Sequence, residues 1–197
     1  MKTIFALLLL VIAGTRLYAQ TPFTCSNQAY QVVSSSNGLS STLYAYNVVT
    51  GTRTSVASYN FGMNAIGYYV GNNMIWGYDI RNERVVYLDA AGAFTPVAVT
   101  GLPASGFNVG AVSNNGYYYL YVTDAARHYV VDINPARTAT YLKLVDPTTG
   151  YTLDTAPFGT IFSQPSINIS DWVINPATGM LWGLWTPQMP VLTRWLL

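Results

Sequence analysis

Charged side chains are scarce in this sequence of 197 residues: only 9% are Asp, Glu, Lys or Arg, against roughly 25% in an ordinary soluble domain. Nine basic residues and eight acidic ones leave a net charge of +1. The sequence therefore has neither the basic patch that holds nucleic acid nor the acidic tail of a disordered chain. We exclude nucleic acid as a partner.

Cysteine is almost absent as well, since Cys25 is the only one. A single cysteine excludes an internal disulfide framework, so packed apolar surface must stabilise the fold. The preceding residues Pro22-Phe23-Thr24 are not the small apolar tripeptide that lipidation requires. We expect a buried thiol at the start of the first strand, with an intermolecular disulfide as the alternative.

Histidine is equally rare, and His128 alone leaves no basis for a multi-histidine metal site. No Gly-x-Ser-x-Gly motif supplies a nucleophile for it. Its position between Arg127 and Tyr129, at the start of a predicted strand, indicates a surface histidine at a strand edge. A catalytic base is the alternative.

The eight carboxylates form no recognisable catalytic or calcium-binding motif. Most of them follow a strand or stand beside a turn residue, where a carboxylate accepts hydrogen bonds from backbone N–H groups. We therefore predict no catalytic, metal-ligating or cofactor-binding residue, and no cofactor. The eight are Asp79, Glu83, Asp89, Asp124, Asp132, Asp146, Asp154 and Asp171.

The only long apolar run is the ten residues from Ile4 to Ala13, which follow Lys2. A bilayer needs about 20 such residues, so this run is too short for a membrane span. A basic start, an apolar run and a small residue at Ala19 are typical of a secretory signal peptide. We predict a signal peptide over residues 1–19, no transmembrane segment after its removal, and a secreted or cell-surface protein.

No helical period occurs after residue 19, and Tyr, Val, Thr, Ile and Trp recur in short runs broken by Gly, Asn and Pro. This pattern predicts an all-β chain. Three turns share one pattern, an Asn or Asp, two further residues and then Thr-Gly, and each predicts a hairpin. They are Asn47–Gly51, Asp146–Gly150 and Asn175–Gly179.

Equivalent strand ends recur at a period of 42 to 45 residues, as Tyr46, Leu88 and Ile133 show. About four strands per period are typical of β-propeller blades, whereas a β-sandwich, the alternative, has no fixed step. We therefore predict a single propeller-like domain over residues 20–197. Its units are residues 28–59, 64–100, 108–145 and 169–185, with an insertion at 145–168.

The predicted units amount to about three to three and a half antiparallel blades, because residues 28–59 resemble outer strands and residues 169–185 inner strands. A closed propeller needs at least four blades. We therefore expect an incomplete ring. It is either a fragment that stops at Leu197 or a subunit that completes its ring with another copy.

Strand and turn elements recur across residues 23–185: Phe23-Thr24-Cys25, Ala29-Tyr30-Gln31-Val32, Leu43-Tyr44, Thr50-Gly51, Asn64-Ala65-Ile66-Gly67-Tyr68, Ile75-Trp76-Gly77-Tyr78, Asp171-Trp172-Val173-Ile174-Asn175-Pro176-Ala177-Thr178-Gly179 and Leu181-Trp182-Gly183. Together they resemble an uncharacterised propeller-like domain, a domain of unknown function, found towards the N-termini of bacterial secreted and cell-surface proteins. The resemblance implies export, further blades, and adhesion or sorting modules after them. The motifs that carry the resemblance include no catalytic residue.

Aromatic residues are the most promising binding groups, because their rings stack on sugars or anchor protein partners at low entropic cost. We regard five as possible ligand contacts, with packing between blades as the alternative. They are Trp172, Trp182, Trp185, Tyr118 and Tyr121.

These features predict a secreted, non-enzymatic binding or adhesion module whose loops contact a glycan or a protein, in a protein that continues beyond this chain. One alternative is a structural component that self-associates through open strand edges. Another is an extracellular hydrolase or lyase that uses Asp171 and His128. Asn168-Ile169-Ser170 is an N-glycosylation sequon, which matters only where the machinery exists.

Overall fold

The computed structural model describes residues 20–24, 26–122, 127–146, 169–175 and 177–185. These residues form twelve β-strands and no helix. The strands are β1 (Gln28–Ser34), β2 (Ser41–Asn47), β3 (Arg53–Tyr59), β4 (Met63–Tyr69), β5 (Met74–Asp79), β6 (Arg84–Leu88), β7 (Phe94–Val97), β8 (Val109–Val112), β9 (Tyr117–Val122), β10 (Arg127–Asp132), β11 (Ile169–Ile174) and β12 (Leu181–Trp185).

The strands form four antiparallel sheets that follow one another along the chain. The first sheet is β1-β2-β3, the second β4-β5-β6-β7, the third β8-β9-β10 and the fourth β11-β12. β8 contacts both β4 and β11, so the first strands of the last three sheets lie side by side. The four described sheets do not close into a ring. This architecture confirms the predicted all-β, propeller-like array of about three to three and a half blades.

Two of the three predicted turns form as expected. The Asn47 side chain accepts hydrogen bonds from two backbone N–H groups of its turn, at 2.9 and 3.0 Å, and Gly51 has a φ of 71°. Asn175 makes the same contacts, and Gly179 has a φ of 70°. Glycine adopts this left-handed conformation without steric cost. Most of the third turn, Asp146–Gly150, lies outside the described residues.

Apolar side chains fill the space between neighbouring sheets. Leu43, Phe61 and Val86 belong to the cluster between the first and second sheets. Trp76 and Tyr118 are buried between the second and third sheets. Each fully buried side chain of this kind contributes roughly 1.5–3 kcal/mol of transfer free energy. Packing between sheets therefore holds the array together in place of disulfides.

The second and third sheets approach so closely that two positions of their first strands require glycine. A Cβ atom on Gly110 would lie 2.1 Å from the carbonyl oxygen of Ala65, and one on Gly67 would lie 2.7 Å from the backbone nitrogen of Val112. The Tyr118 hydroxyl donates a hydrogen bond to the same Ala65 oxygen. Backbone contact and this bond together fix β4 against β8.

The prediction of a surface position for His128 is wrong, because the residue is only 3% exposed. Residues 142–145 cover the free edge of β10, where the Val145 N–H donates to the Val130 carbonyl at 2.8 Å. His128 also lies opposite Tyr121, on the side that packs towards the fourth sheet. Burial lowers the pKa of His128 to about 4, so the imidazole is neutral at pH 7.

The part of the chain that the structure describes contains no helix with the length and apolarity to cross a membrane. Nor does it bring together three or more His, Cys, Asp or Glu side chains in a group able to hold a metal ion. The predicted signal peptide, Cys25, most of the insertion including Asn168, and the residues after Trp185 lie outside the described residues.

Candidate binding face

Three of the five predicted ligand-contact aromatics are buried. Tyr118 is fully buried between the second and third sheets. Tyr121 and Trp172 meet between the third and fourth sheets, with ring centroids 5.6 Å apart. Trp182 is 38% exposed, and Trp185 pairs with Ile169 at the end of β12. Among the side chains that the structure describes, the Trp182 ring therefore keeps the exposure that a ligand contact needs.

The carboxylates that follow strands act as hydrogen-bond acceptors for turns, as predicted. Asp89 accepts from the N–H groups of Thr21 and Ala93 at 3.0 and 2.8 Å. Asp132 is completely buried and accepts from Arg137 through two nitrogens, at 2.6 and 2.7 Å. Such satisfied carboxylates stabilise turns and are not placed for general acid–base chemistry.

The first sheet presents a different set of side chains on the side that faces away from the second sheet. We call this side the outward face. Leu43 is buried against the second sheet, so the alternation along β2 places Tyr44 and Tyr46 on the opposite side. Strand pairing then sets Gln31 opposite Tyr44 and Arg53 opposite Tyr46.

Specific contacts order the outward face. The Arg53 guanidinium lies over the Tyr44 ring, with its Cζ atom 4.3 Å from the ring centroid. The Tyr46 hydroxyl donates to the Gln31 amide oxygen at 2.7 Å. A hydrogen bond with Tyr46 raises the pKa of the Arg53 guanidinium. Both rings are thus held by neighbours, and both remain partly exposed.

The charge on this face is uncompensated. Arg53 is the only charged residue between positions 20 and 78 of the sequence. The ion pairs found within the described ranges, Arg84–Asp79 and Arg137–Asp132, do not involve it. A guanidinium has five N–H donors and no acceptor. The outward face therefore offers an aromatic surface with a positive, donor-rich centre.

The fourth sheet has an exposed side of another character. Val173 and Trp182 lie directly opposite each other in β11 and β12, and they are 64% and 38% exposed. Met180, two residues before Trp182 in the chain, is also exposed. The exposed Asp171, two residues before Val173 on β11, lies on the same side, so this apolar pair stands beside a carboxylate.

The sequence reasoning missed Tyr44, Tyr46 and Arg53. The Tyr-Ala-Tyr alternation in β2 and the isolation of Arg53 among uncharged residues are the patterns that point to them. Neither pattern identifies the open side of the sheet without knowledge of which side packs against a neighbour.

No protein-family model and no curated protein matches the sequence. Similar solved structures include regucalcin, a calcium-binding protein from Agrobacterium tumefaciens strain C58, at 9% identity and a TM-score of 0.52, with 84% of this chain and 50% of that chain covered. Virginiamycin B lyase from Staphylococcus aureus has 15% identity and a TM-score of 0.45, with 82% and 50% covered. An auxiliary nutrient binding protein from Bacteroides thetaiotaomicron has 11% identity and a TM-score of 0.47, with 85% and 42% covered.

The likeness to regucalcin shows the fold alone: this chain is a propeller-like protein. It spans about half the length of the structures named above.

Proposed function

We propose that this protein is a secreted, non-enzymatic binding module and that it holds its ligand on the outward face of the first sheet. One observation carries the proposal: Arg53 stacked over Tyr44, beside Tyr46, on an exposed sheet surface without an acidic residue. This position differs from the sequence-based prediction, which placed the ligand contacts in loops.

The chemistry of the face fits binding better than catalysis. Tyrosine rings provide a large contact area and lose little rotamer freedom on binding. Arg53 and Gln31 add polar groups that fix the orientation of a ligand. By contrast, His128 is buried and neutral, and Asp171 accepts a hydrogen bond from the backbone of Trp172, so neither supports the hydrolase or lyase alternative.

Export and adhesion are parts of the same proposal. Export is supported by the signal-peptide pattern of residues 1–19. The resemblance to an uncharacterised domain of bacterial surface proteins supports a role in attachment, as part of a longer protein.

Affinity electrophoresis of the full chain through gels that contain soluble polysaccharides or cell-surface extracts tests the proposal. A Tyr44→Ala/Tyr46→Ala double variant is expected to lose at least tenfold in affinity for whatever retards the wild type. Tyr68→Ala, which removes an exposed tyrosine of the second sheet, is the matched control. Undiminished binding by the double variant would place the ligand elsewhere, and a folded wild type that binds nothing would contradict the proposal.

A second candidate function is self-association, which the exposed pair Val173 and Trp182 favours because open apolar sheet surface promotes pairing between copies. Light scattering across a concentration series tests it, with Trp182→Ser as the variant. A concentration-dependent mass that the variant abolishes supports self-association. A monomer at every concentration rules it out.

A further inference from the structure

We propose that the outward face recognises acidic polysaccharides, with Arg53 paired to the carboxylate of a uronic acid unit. This inference rests on the binding function proposed above and names its ligand class.

The charge distribution on the first sheet favours an anionic ligand. Within the described ranges, Arg84 and Arg137 each have a carboxylate partner, whereas Arg53 stands alone in a stretch of the chain that contains no Asp or Glu. It lies at the surface, where a ligand can reach it. A ligand carboxylate therefore gains an attraction that no acidic side chain of the first sheet opposes.

The geometry of the Arg53 guanidinium favours a carboxylate. Stacking over Tyr44 covers one flat side of the group, and hydrogen bonds to a guanidinium lie in its plane. The hydrogen bond with Tyr46 uses part of the donor capacity in that plane. The remaining N–H groups suit a two-pronged contact with a carboxylate, which is shorter and stronger than a neutral hydrogen bond.

The neighbouring side chains favour a sugar over an acidic peptide. Tyr44 and Tyr46 are two residues apart on one strand, so they lie roughly 7 Å apart on the same side. Around them, next to the exposed Val33, are short hydroxyl and amide groups able to exchange hydrogen bonds with sugar hydroxyls. These groups are Gln31, Thr42, Ser55 and Ser58.

Calorimetric titration of the full chain with polygalacturonate, its methyl ester and poly-glutamate tests the inference. The methyl ester keeps the sugar backbone and lacks the charge, whereas poly-glutamate keeps the charge on a peptide. We expect polygalacturonate to bind at least tenfold more tightly than either. Arg53→Gln is expected to abolish that preference, and Arg81→Gln, which removes an exposed arginine outside the face, is expected to keep it.

Equal affinity for polygalacturonate and its methyl ester overturns the inference but leaves the proposed binding function standing, provided that the tyrosine variants weaken both. Equal or tighter binding of poly-glutamate overturns the choice of a sugar. Dextran sulfate, a sulfated polysaccharide, is a further test ligand. If it binds more tightly than polygalacturonate and its binding also depends on Arg53, the choice of a carboxylate is overturned. Failure of a folded protein to bind polygalacturonate overturns the inference. Affinity electrophoresis with cell-surface extracts then tests the proposed binding function separately.

Discussion

Arg53 and Tyr44 form a cation–π contact across two strands of the first sheet, with 4.3 Å between the guanidinium carbon and the ring centroid. The contact joins β3 to β2 on the side away from the second sheet. Because both partners belong to the same sheet, the contact holds the guanidinium in place and reduces the entropy that binding costs.

Replacement of the Tyr44 ring should release Arg53. We expect Tyr44→Leu to remove the upfield ring-current shift of the Arg53 side-chain protons in an NMR spectrum, and Tyr44→Phe to keep it, because phenylalanine retains the π face. An exposed contact of this kind is worth about 0.5–1 kcal/mol, so the fold should remain intact in both variants. Identical Arg53 shifts in the wild type and Tyr44→Leu would contradict the contact.

The buried carboxylate of Asp132 should matter far more for stability than an exposed one. Asp132→Ala removes the carboxylate that accepts from Arg137 and from the Asn134 N–H, and loss of a buried acceptor of this kind costs about 1–3 kcal/mol. Asp171→Ala removes an exposed carboxylate and should cost less than about 1 kcal/mol. Urea unfolding measures both, and equal losses would refute this account of Asp132.

The close approach of β4 and β8 should make Gly110 intolerant of any side chain. Gly110→Ala places a Cβ atom against the Ala65 carbonyl oxygen, and relief of that clash requires the two sheets to separate, at a cost of about 2 kcal/mol or more. The control is Gly106→Ala, because a Cβ atom there meets nothing within 4 Å. Thermal unfolding should separate the variants by several degrees, and similar melting temperatures would disprove the close approach.

His128 should make the protein less stable as the pH falls. Its pKa is about 4 in the folded protein because of burial and about 6.5 in an unfolded chain. Between these values the unfolded chain binds more protons, so the free energy of unfolding decreases as the pH falls through this window. From pH 7.5 to about pH 4.5 the loss due to His128 should approach roughly 2–3 kcal/mol.

His128→Gln keeps a polar side chain that does not titrate, so comparison with the wild type cancels the effects of other groups. The variant should show a shallower pH dependence of its free energy of unfolding. Parallel pH profiles for the two proteins would contradict a buried, neutral imidazole.

Local chemistry made the strands and turns of this protein predictable. The Asn47 and Asn175 turns form because an amide side chain and a following glycine specify them within five residues. Asp89 directly follows β6, Asp132 ends β10, and both accept backbone N–H groups close in sequence. Features of this range need no knowledge of distant contacts.

Features that depend on contacts between sheets were not predictable in the same way. His128 was expected at the surface because it stands between Arg127 and Tyr129 at the start of a strand, yet residues 142–145 cover the edge of that strand. Tyr118 was a candidate ligand contact, yet it is buried against the second sheet. Tyr44 was overlooked, because only the packing of Leu43 determines which side of β2 is open.

The most direct test of the central claim is a residue-by-residue map of the backbone amide shifts of the full chain when polygalacturonate is added. The account predicts that the changes concentrate in β1, β2 and β3 and are largest near Tyr44, Tyr46 and Arg53. Changes that concentrate in β11 and β12, or a spectrum that the polysaccharide leaves unaltered, would contradict it.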